Sequence, residues 1–216
     1  MIDNEVSKDD VKLNSRFYEG VKRIFDFAFS LCAIYFFLPV YLAVAVIIKL
    51  DSPGPVIFSH ERIGKNGKRI KIYKFRTMKK NANELFKNFT PSQKREFQEN
   101  FKLKNDPRVT KVGEFLRKTS IDELPQFWNV LKGDLSVVGH RPIVEAEIEK
   151  YASNYERIFS HAPGLTGYWQ ANGRSNTTYE QRVAMDLYYC EQRSFALDIK
   201  IIITTVAKVI QRKGAF

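Results

Sequence analysis

The residues best suited to chemistry lie in one stretch, Arg108 to Pro142, where carboxylates and arginines alternate between glycines and prolines. Asp122, Glu123 and Asp134 are its acids after Glu114, Arg117 and Arg141 its arginines, and Pro125, Gly133, Gly139 and Pro142 fix the backbone around them. A site that handles phosphate needs this combination. Carboxylate oxygens suit a hard divalent cation, and guanidinium forks hold phosphoryl oxygens through charge-assisted bonds. A purely structural reading competes evenly at the central pair. Ser120-Ile121-Asp122-Glu123 fits a helix capping box, with Ser120 as the cap and Glu123 as its reciprocal partner. Pro125 favours instead a helix starting near itself. Asp122 and Glu123 would then stand just before the positive helix end, where a carboxylate anion or an incoming phosphate is stabilised. The remaining candidates are ambiguous alone. Arg141-Pro142 also fits a simple turn, and Arg76 a solvated strand end. Pro163–Arg174 fits either a structural loop or one that presents its amides, Gln170 and Arg174 to a substrate.

Composition narrows the partners. The 216 residues carry 35 Lys and Arg against 24 Asp and Glu, a formal charge of +11. Such an excess suits nucleic acid, anionic lipid or phosphorylated substrates. Residues 54–80 hold nine bases and one acid, Glu61, directly after the most apolar part of the chain. Basic clusters beside an apolar segment read as contacts with anionic head groups. Nucleic acid is disfavoured as a partner: no binding motif accompanies the charge, and the apolar segment is out of place in such a protein. Cys32 and Cys190 form no disulfide framework.

From Phe27 to Ile48 there are 22 uncharged residues. A straight helix of that length extends roughly 33 Å, enough for a bilayer core. A signal peptide fits poorly, because the preceding region is long and acidic and no small-residue cleavage site follows. Pro39 removes the helical hydrogen bond to Tyr35, so a kink or break is expected there. Both flanks are basic, with Lys22 and Arg23 before and Lys49 and the 62–80 cluster after, which favours both ends on the cytoplasmic side. A kinked span and a hairpin that enters and returns both satisfy these facts. Downstream, Val56–Glu61 and Arg69–Phe75 are expected as strands of a hairpin about Asn66-Gly67. Helices are expected over 81–104 (interrupted at Thr90-Pro91), 110–119, 124–131, 143–159, 179–191 and 195–210, with 162–174 as loop. The last helix has a broad apolar face for the core or for a membrane surface. The fold class is therefore α+β, mostly helical, with a small β-hairpin.

Several motifs occur in one order: Leu50-Asp-Ser-Pro-Gly-Pro-Val, Tyr73-Lys-Phe-Arg-Thr-Met, Asp106-Pro-Arg-Val-Thr, Thr119-Ser-Ile-Asp-Glu-Leu-Pro-Gln, Leu131-Lys-Gly-Asp-Leu-Ser and Pro163-Gly-Leu-Thr-Gly. Together they resemble the bacterial sugar transferases, the monotopic phosphoglycosyl transferases, from about Lys22 to the C-terminus. Residues 1–20 lie outside it as a polar tail, and the resemblance implies a re-entrant membrane helix over 21–50 broken at Pro39 and a compact catalytic domain over 51–216. It implies a location on the cytoplasmic face of a bacterial inner membrane. It places the nucleophile on Asp122 and magnesium, with manganese as a substitute, at Asp122 and Glu123. Phosphate-binding arginines fall on Arg117 and Arg141. Arg76, Asp134, Gln170 and Arg174 complete the candidate substrate-binding set. The implied substrates are a UDP-sugar, a hexose in first place, and a polyprenyl phosphate, and a homodimer is compatible with the pattern. Two positions depart from the family: Leu38 stands where serine often precedes the proline, and His140 where proline usually precedes Arg141.

Overall fold

A computed structural model describes residues 8–100, 103, 105–173 and 177–211. The chain opens with helix α1, Lys8–Asp51, which runs through Pro39. The break expected at Pro39 is therefore not a change of secondary structure. One missing N–H removes one hydrogen bond, and the helix continues on either side of it. Its burial pattern inverts that of a water-soluble helix. Lys22, Asp26 and Ser30, one face at four-residue spacing, are buried against the rest of the protein, whereas Phe17, Ile24, Phe27, Leu31 and Tyr35 are exposed. After Pro39 the inward face becomes apolar, with Val44 and Ile48 packed on Phe75 and Leu116. By length and composition, Arg16–Asp51 could cross a membrane.

Strands β1 (Ile57–Ile63) and β2 (Arg69–Phe75) form the expected antiparallel hairpin. Asn66 and Gly67 take positive φ in its turn, 54° and 75°, the conformation their residue types allow most readily. Helices α2 (Ala82–Lys87) and α3 (Pro91–Asn100) follow, separated at Thr90 as expected. They are tied down by Arg108, whose guanidinium lies 5.0 Å from the Phe89 ring and 5.4 Å from those of Phe86 and Phe97. Then come α4 (Lys111–Thr119), α5 (Gln126–Lys132), β3 (Ser136–Val138), α6 (Tyr155–Phe159), β4 (Gly164–Thr166), α7 (Tyr168–Asn172), α8 (Tyr179–Gln192) and α9 (Phe195–Ile210).

Two segments differ from expectation. The helix over 143–159 is a 3-10 helix from Glu145 to Asn154, kinked at Ala152 (φ 42°), followed by the short α6. The loop over 162–174 contains β4 and α7, and β4 pairs in parallel with β3. These strands are three residues long and buried on both faces, so no alternation announces them. Gly164 is required where they meet, since a Cβ there would lie 2.1 Å from the Gly139 amide nitrogen. The main core gathers Ile70 and Ile72 from β2, Val130 from α5, Val137 and Val138 from β3, Tyr189 from α8 and Ile201 from α9. The opposite face of α9 leaves Ile199, Ile203, Val206 and Ile210 exposed.

Candidate functional site

The site is assembled where β2 runs out beneath α4. Lys74 is the penultimate residue of β2, and Thr77 continues the strand direction. The Thr77 carbonyl accepts from the Thr110 amide at 3.0 Å, which brings the N-terminus of α4 onto the strand end. Gly113 permits that approach, because a Cβ would meet the Thr77 oxygen at 2.0 Å. Arg117, one turn on, donates from Nε to Thr77 Oγ1 at 3.0 Å. Helix α4 ends at Ser120, which is left-handed (φ 58°) and sends its N–H back to the carbonyls of Leu116 and Arg117. The chain reverses there into a 3-10 turn, Ile121–Glu123, and α5 starts directly after Pro125. The capping-box alternative is thereby overturned: Ser120 closes α4, and at the head of the 3-10 turn its side chain makes no cap hydrogen bond.

This reversal turns Asp122 inward, where it is 7% exposed. Glu123 points outward to Lys74, whose Nζ lies 2.6 Å from Oε1. Burial pushes the Asp122 carboxyl up from its ordinary 3.8 to about 6, with the Glu123 charge adding to the rise and Lys74 and Arg117 opposing it. At neutral pH the carboxylate is thus ionised, poorly solvated and flanked by cations, the state of a carboxylate nucleophile. Burial holds the Arg117 guanidinium below its ordinary value, against the attraction of Asp122 and Asp106. Asp106 is itself held low by Arg108, which donates to it at 2.6 and 2.8 Å.

Arg141 follows β3, and the Ile63 amide donates to the Ile143 carbonyl at 2.8 Å, joining this segment to the end of β1. His140 is fully buried, its ring 4.3 Å from that of Phe159 and its two nitrogens each 3.2 Å from a carbonyl, of Arg141 and of His161. Burial lowers its pKa to about 4, so it is neutral. Where a proline would have fixed the backbone before Arg141, a wedged imidazole does so.

The remaining candidates fall elsewhere. Arg76 gives its guanidinium to the carbonyls of Ile48, Ser52 and Pro53, closing the C-terminal end of α1 rather than facing Asp122. Asp134 sits at the far end of α5, 2.9 Å from Lys132. Gln170 lies on α7, and Arg174 lies outside the described residues. Lys74 and Thr77 were not picked out from the sequence. Lys74 had a signal, a lysine two residues before Arg76 at a strand end, but its partner is set by folding 49 residues away.

Among the described residues no group of three or more His, Cys, Asp and Glu converges on one point. The protein's own offer to a metal is the adjacent Asp122–Glu123 pair. A hard cation such as magnesium takes one or two carboxylates and completes its shell with water and phosphate oxygens, and Glu123 would exchange Lys74, 2.6 Å away, for such an ion.

The body is mostly helical with a small hairpin, one helix is long and apolar enough to cross a membrane, and a buried carboxylate stands among cations. Residues 17–212 match the sequence profile described as bacterial sugar transferase, and the chain belongs to that family. It is 42% identical over 98% of its length to a UDP-galactose-lipid carrier transferase of Erwinia amylovora, of which it covers 44%. It is 42% identical over 95% of its length to an undecaprenyl-phosphate galactose phosphotransferase of Salmonella typhimurium, covering 43% of it. Against exopolysaccharide production protein ExoY of Rhizobium meliloti the identity is 41% over 90% of this chain and 88% of that protein. The chain thus spans less than half of the first two relatives and most of the third.

Proposed function

We propose that this chain transfers a hexose 1-phosphate from a UDP-sugar to polyprenyl phosphate, at the cytoplasmic face of the inner membrane, through a phospho-sugar ester on Asp122. The observation that carries this reading is the buried Asp122 carboxylate beside the Lys74–Glu123 pair and Arg117. Asp122 attacks the phosphorus next to the sugar. The bond from that phosphorus to the bridging oxygen breaks, and the nucleoside monophosphate leaves with the electron pair. A polyprenyl phosphate oxygen then attacks the same phosphorus, the Asp122–phosphorus bond breaks, and the carboxylate is restored. Lys74 keeps the Glu123 charge from repelling the incoming diphosphate, and Arg117 and Arg141 meet the phosphoryl oxygens. Magnesium, held by Asp122 and Glu123, neutralises diphosphate charge when bound.

The membrane reading rests on where α1 touches the body. Before Pro39, Arg23 donates to the carbonyls of Val130 and Leu131 at 2.6 Å, and the Phe29 ring lies 6.2 Å from Phe127. After Pro39, Tyr41 donates to the Leu124 carbonyl at 2.6 Å. Residues on both sides of Pro39 therefore rest on α5 and its lead-in, which keeps both ends of the apolar segment on the side of the body. This supports a re-entrant hairpin over a span. The hexose follows the relatives, two of which carry galactose in their names. Galactose or glucose is the expected sugar, with an N-acetylated sugar next. Purified enzyme in detergent, given a panel of UDP-sugars, should release UMP with a UDP-hexose and polyprenyl phosphate together. No release with any UDP-sugar would overturn the reading.

A further inference from the structure

Three guanidiniums gather near the end of β1, two of them over aromatic rings. Arg62 stands at the end of β1, beside the Arg141 segment through the backbone pairing of Ile63 with Ile143. The Arg141 guanidinium lies 5.7 Å from the Trp169 ring, and that of Arg182, from α8, lies 5.0 Å from the same ring. Arg182 is also 6.0 Å from the Tyr179 ring, and its Nε donates to Thr177 Oγ1 at 3.2 Å. Two carboxylates lie in this group. Glu147 sits 3.5 Å from Arg62 and accepts from Tyr179 at 3.2 Å and from the Val144 amide at 2.8 Å, and the fully buried Asp186 accepts from the Arg141 backbone. Among the described residues, neither Arg141 nor Arg182 has a carboxylate within salt-bridge distance. Trp169 is 7% exposed, and its Nε1–H is buried with no acceptor.

Three like charges held together weaken a fold unless anions join them, and within the cluster Glu147 is in salt-bridge distance of Arg62 alone. The repulsion is felt here: burial and the Arg141 charge push the Arg62 guanidinium down to about 10, while Glu147 and Glu123 pull it up. Guanidiniums stacked on aromatic faces keep their N–H edges free for planar, bidentate contact with phosphate. The hairpin joins the cluster to the catalytic pair: Arg62 lies on β1, and Lys74, the partner of Glu123, lies on the paired strand β2.

We propose that Arg62 and Arg182, with Arg141, form a second phosphate seat framed by Trp169 and Tyr179, and that it takes the phosphate that stays with the nucleoside. This rests on the reading of the reaction given above. A diphosphate has two phosphorus centres, and the one that is attacked must lie at Asp122. The other must be gripped so that it leaves as a dianion, and this cluster is the cationic surplus beside the pair.

The test uses the full chain in detergent with Arg62→Gln and Arg182→Gln, alongside Arg62→Lys and Arg182→Lys. UMP binding is measured by calorimetry, UMP exchange into the UDP-sugar is followed without lipid, and the KM for polyprenyl phosphate is measured separately. Each glutamine variant should weaken UMP binding and raise the KM for the UDP-sugar about 10- to 100-fold, the worth of one charge-assisted contact. The KM for lipid should stay within about twofold, and the lysine variants, which keep the charge, should recover most of the UMP binding. A rise confined to the lipid KM would give the seat to the acceptor and overturn the proposal. Unchanged UMP binding in the glutamine variants would do the same. UMP binding that is lost in these variants, in a wild-type protein that performs no exchange, would instead sink the proposed reaction and leave the seat standing.

Discussion

Replacing Asp122 by asparagine should stabilise the protein while abolishing its activity. The carboxyl is raised from 3.8 to about 6 by burial. At 1.36 kcal/mol per pH unit, ionising Asp122 in the folded protein costs ~3 kcal/mol more than in the unfolded chain. That sum already includes the attraction of Lys74 and Arg117 and the repulsion of Glu123. The sign follows from proton linkage. Below pH ~4 both states hold the proton and nothing is lost. As pH climbs from 3.8 through 6 the unfolded chain ionises first, stability falls, and above pH ~6 the full loss is in place. Asparagine cannot ionise, so the variant should gain on wild type over that window and hold the gain at pH 7.5. For a chain of this size ~3 kcal/mol corresponds to ~6–12 °C in melting temperature. The assay is thermal unfolding in detergent at pH 4, 5, 6 and 7.5, paired with UMP release. Turnover should drop by at least ~10³-fold. An equal or lower melting temperature for Asp122→Asn at pH 7.5, or a gain undiminished at pH 4, would refute the argument that Asp122 is held ionised against its surroundings.

Lys74→Met should raise the Asp122 pKa further, because Lys74 is the largest influence holding it down. The acidic limb of the kcat/KM profile between pH 5 and 8 should move to higher pH. Lys22→Ala should cost ~3–5 kcal/mol in thermal or denaturant unfolding, since it leaves Asp198 buried without the ammonium now 2.6 Å away. His140→Ala empties the space against Phe159 and should cost ~1–3 kcal/mol. The same variant should raise the KM for the UDP-sugar several-fold as the Arg141 backbone loosens, whereas an unchanged KM would show that the imidazole does not position Arg141.

Much of this could be read from the chain because it is local. Asn66-Gly67 marks the hairpin, Thr110 and Ser120 bracket α4, and Pro125 sets the start of α5, so Asp122 and Glu123 fall into place from short-range rules. The capping-box pattern misled because it ignores what precedes it: Ser120 was already needed in the left-handed conformation to end α4. What stayed hidden depends on distant pairing. Lys74 finds Glu123, Arg62 finds Glu147, and Arg182 finds Trp169 only after β2, the 3-10 helix and α8 are packed. Arg76 could be read either as a substrate ligand or as a solvated strand end. It turns inward because the chain leaving α1 presents the carbonyls of Ser52 and Pro53, beside that of Ile48, to its guanidinium. The polar stripe of Lys22, Asp26 and Ser30 has a legible spacing, but its meaning emerges only with Asp198 and the Val137 amide opposite.

The central claim is that Asp122 becomes esterified to the phospho-sugar, and trapping that ester tests it most directly. Wild-type protein and Asp122→Asn, each incubated with a UDP-hexose and magnesium but no lipid, would be quenched in acid and weighed by intact-mass spectrometry. The account predicts that wild type gains the mass of one hexose phosphate, that hydroxylamine removes it, and that the variant gains nothing. Lipid product formed by a wild type that never carries the added mass, or the same added mass on Asp122→Asn, would contradict it.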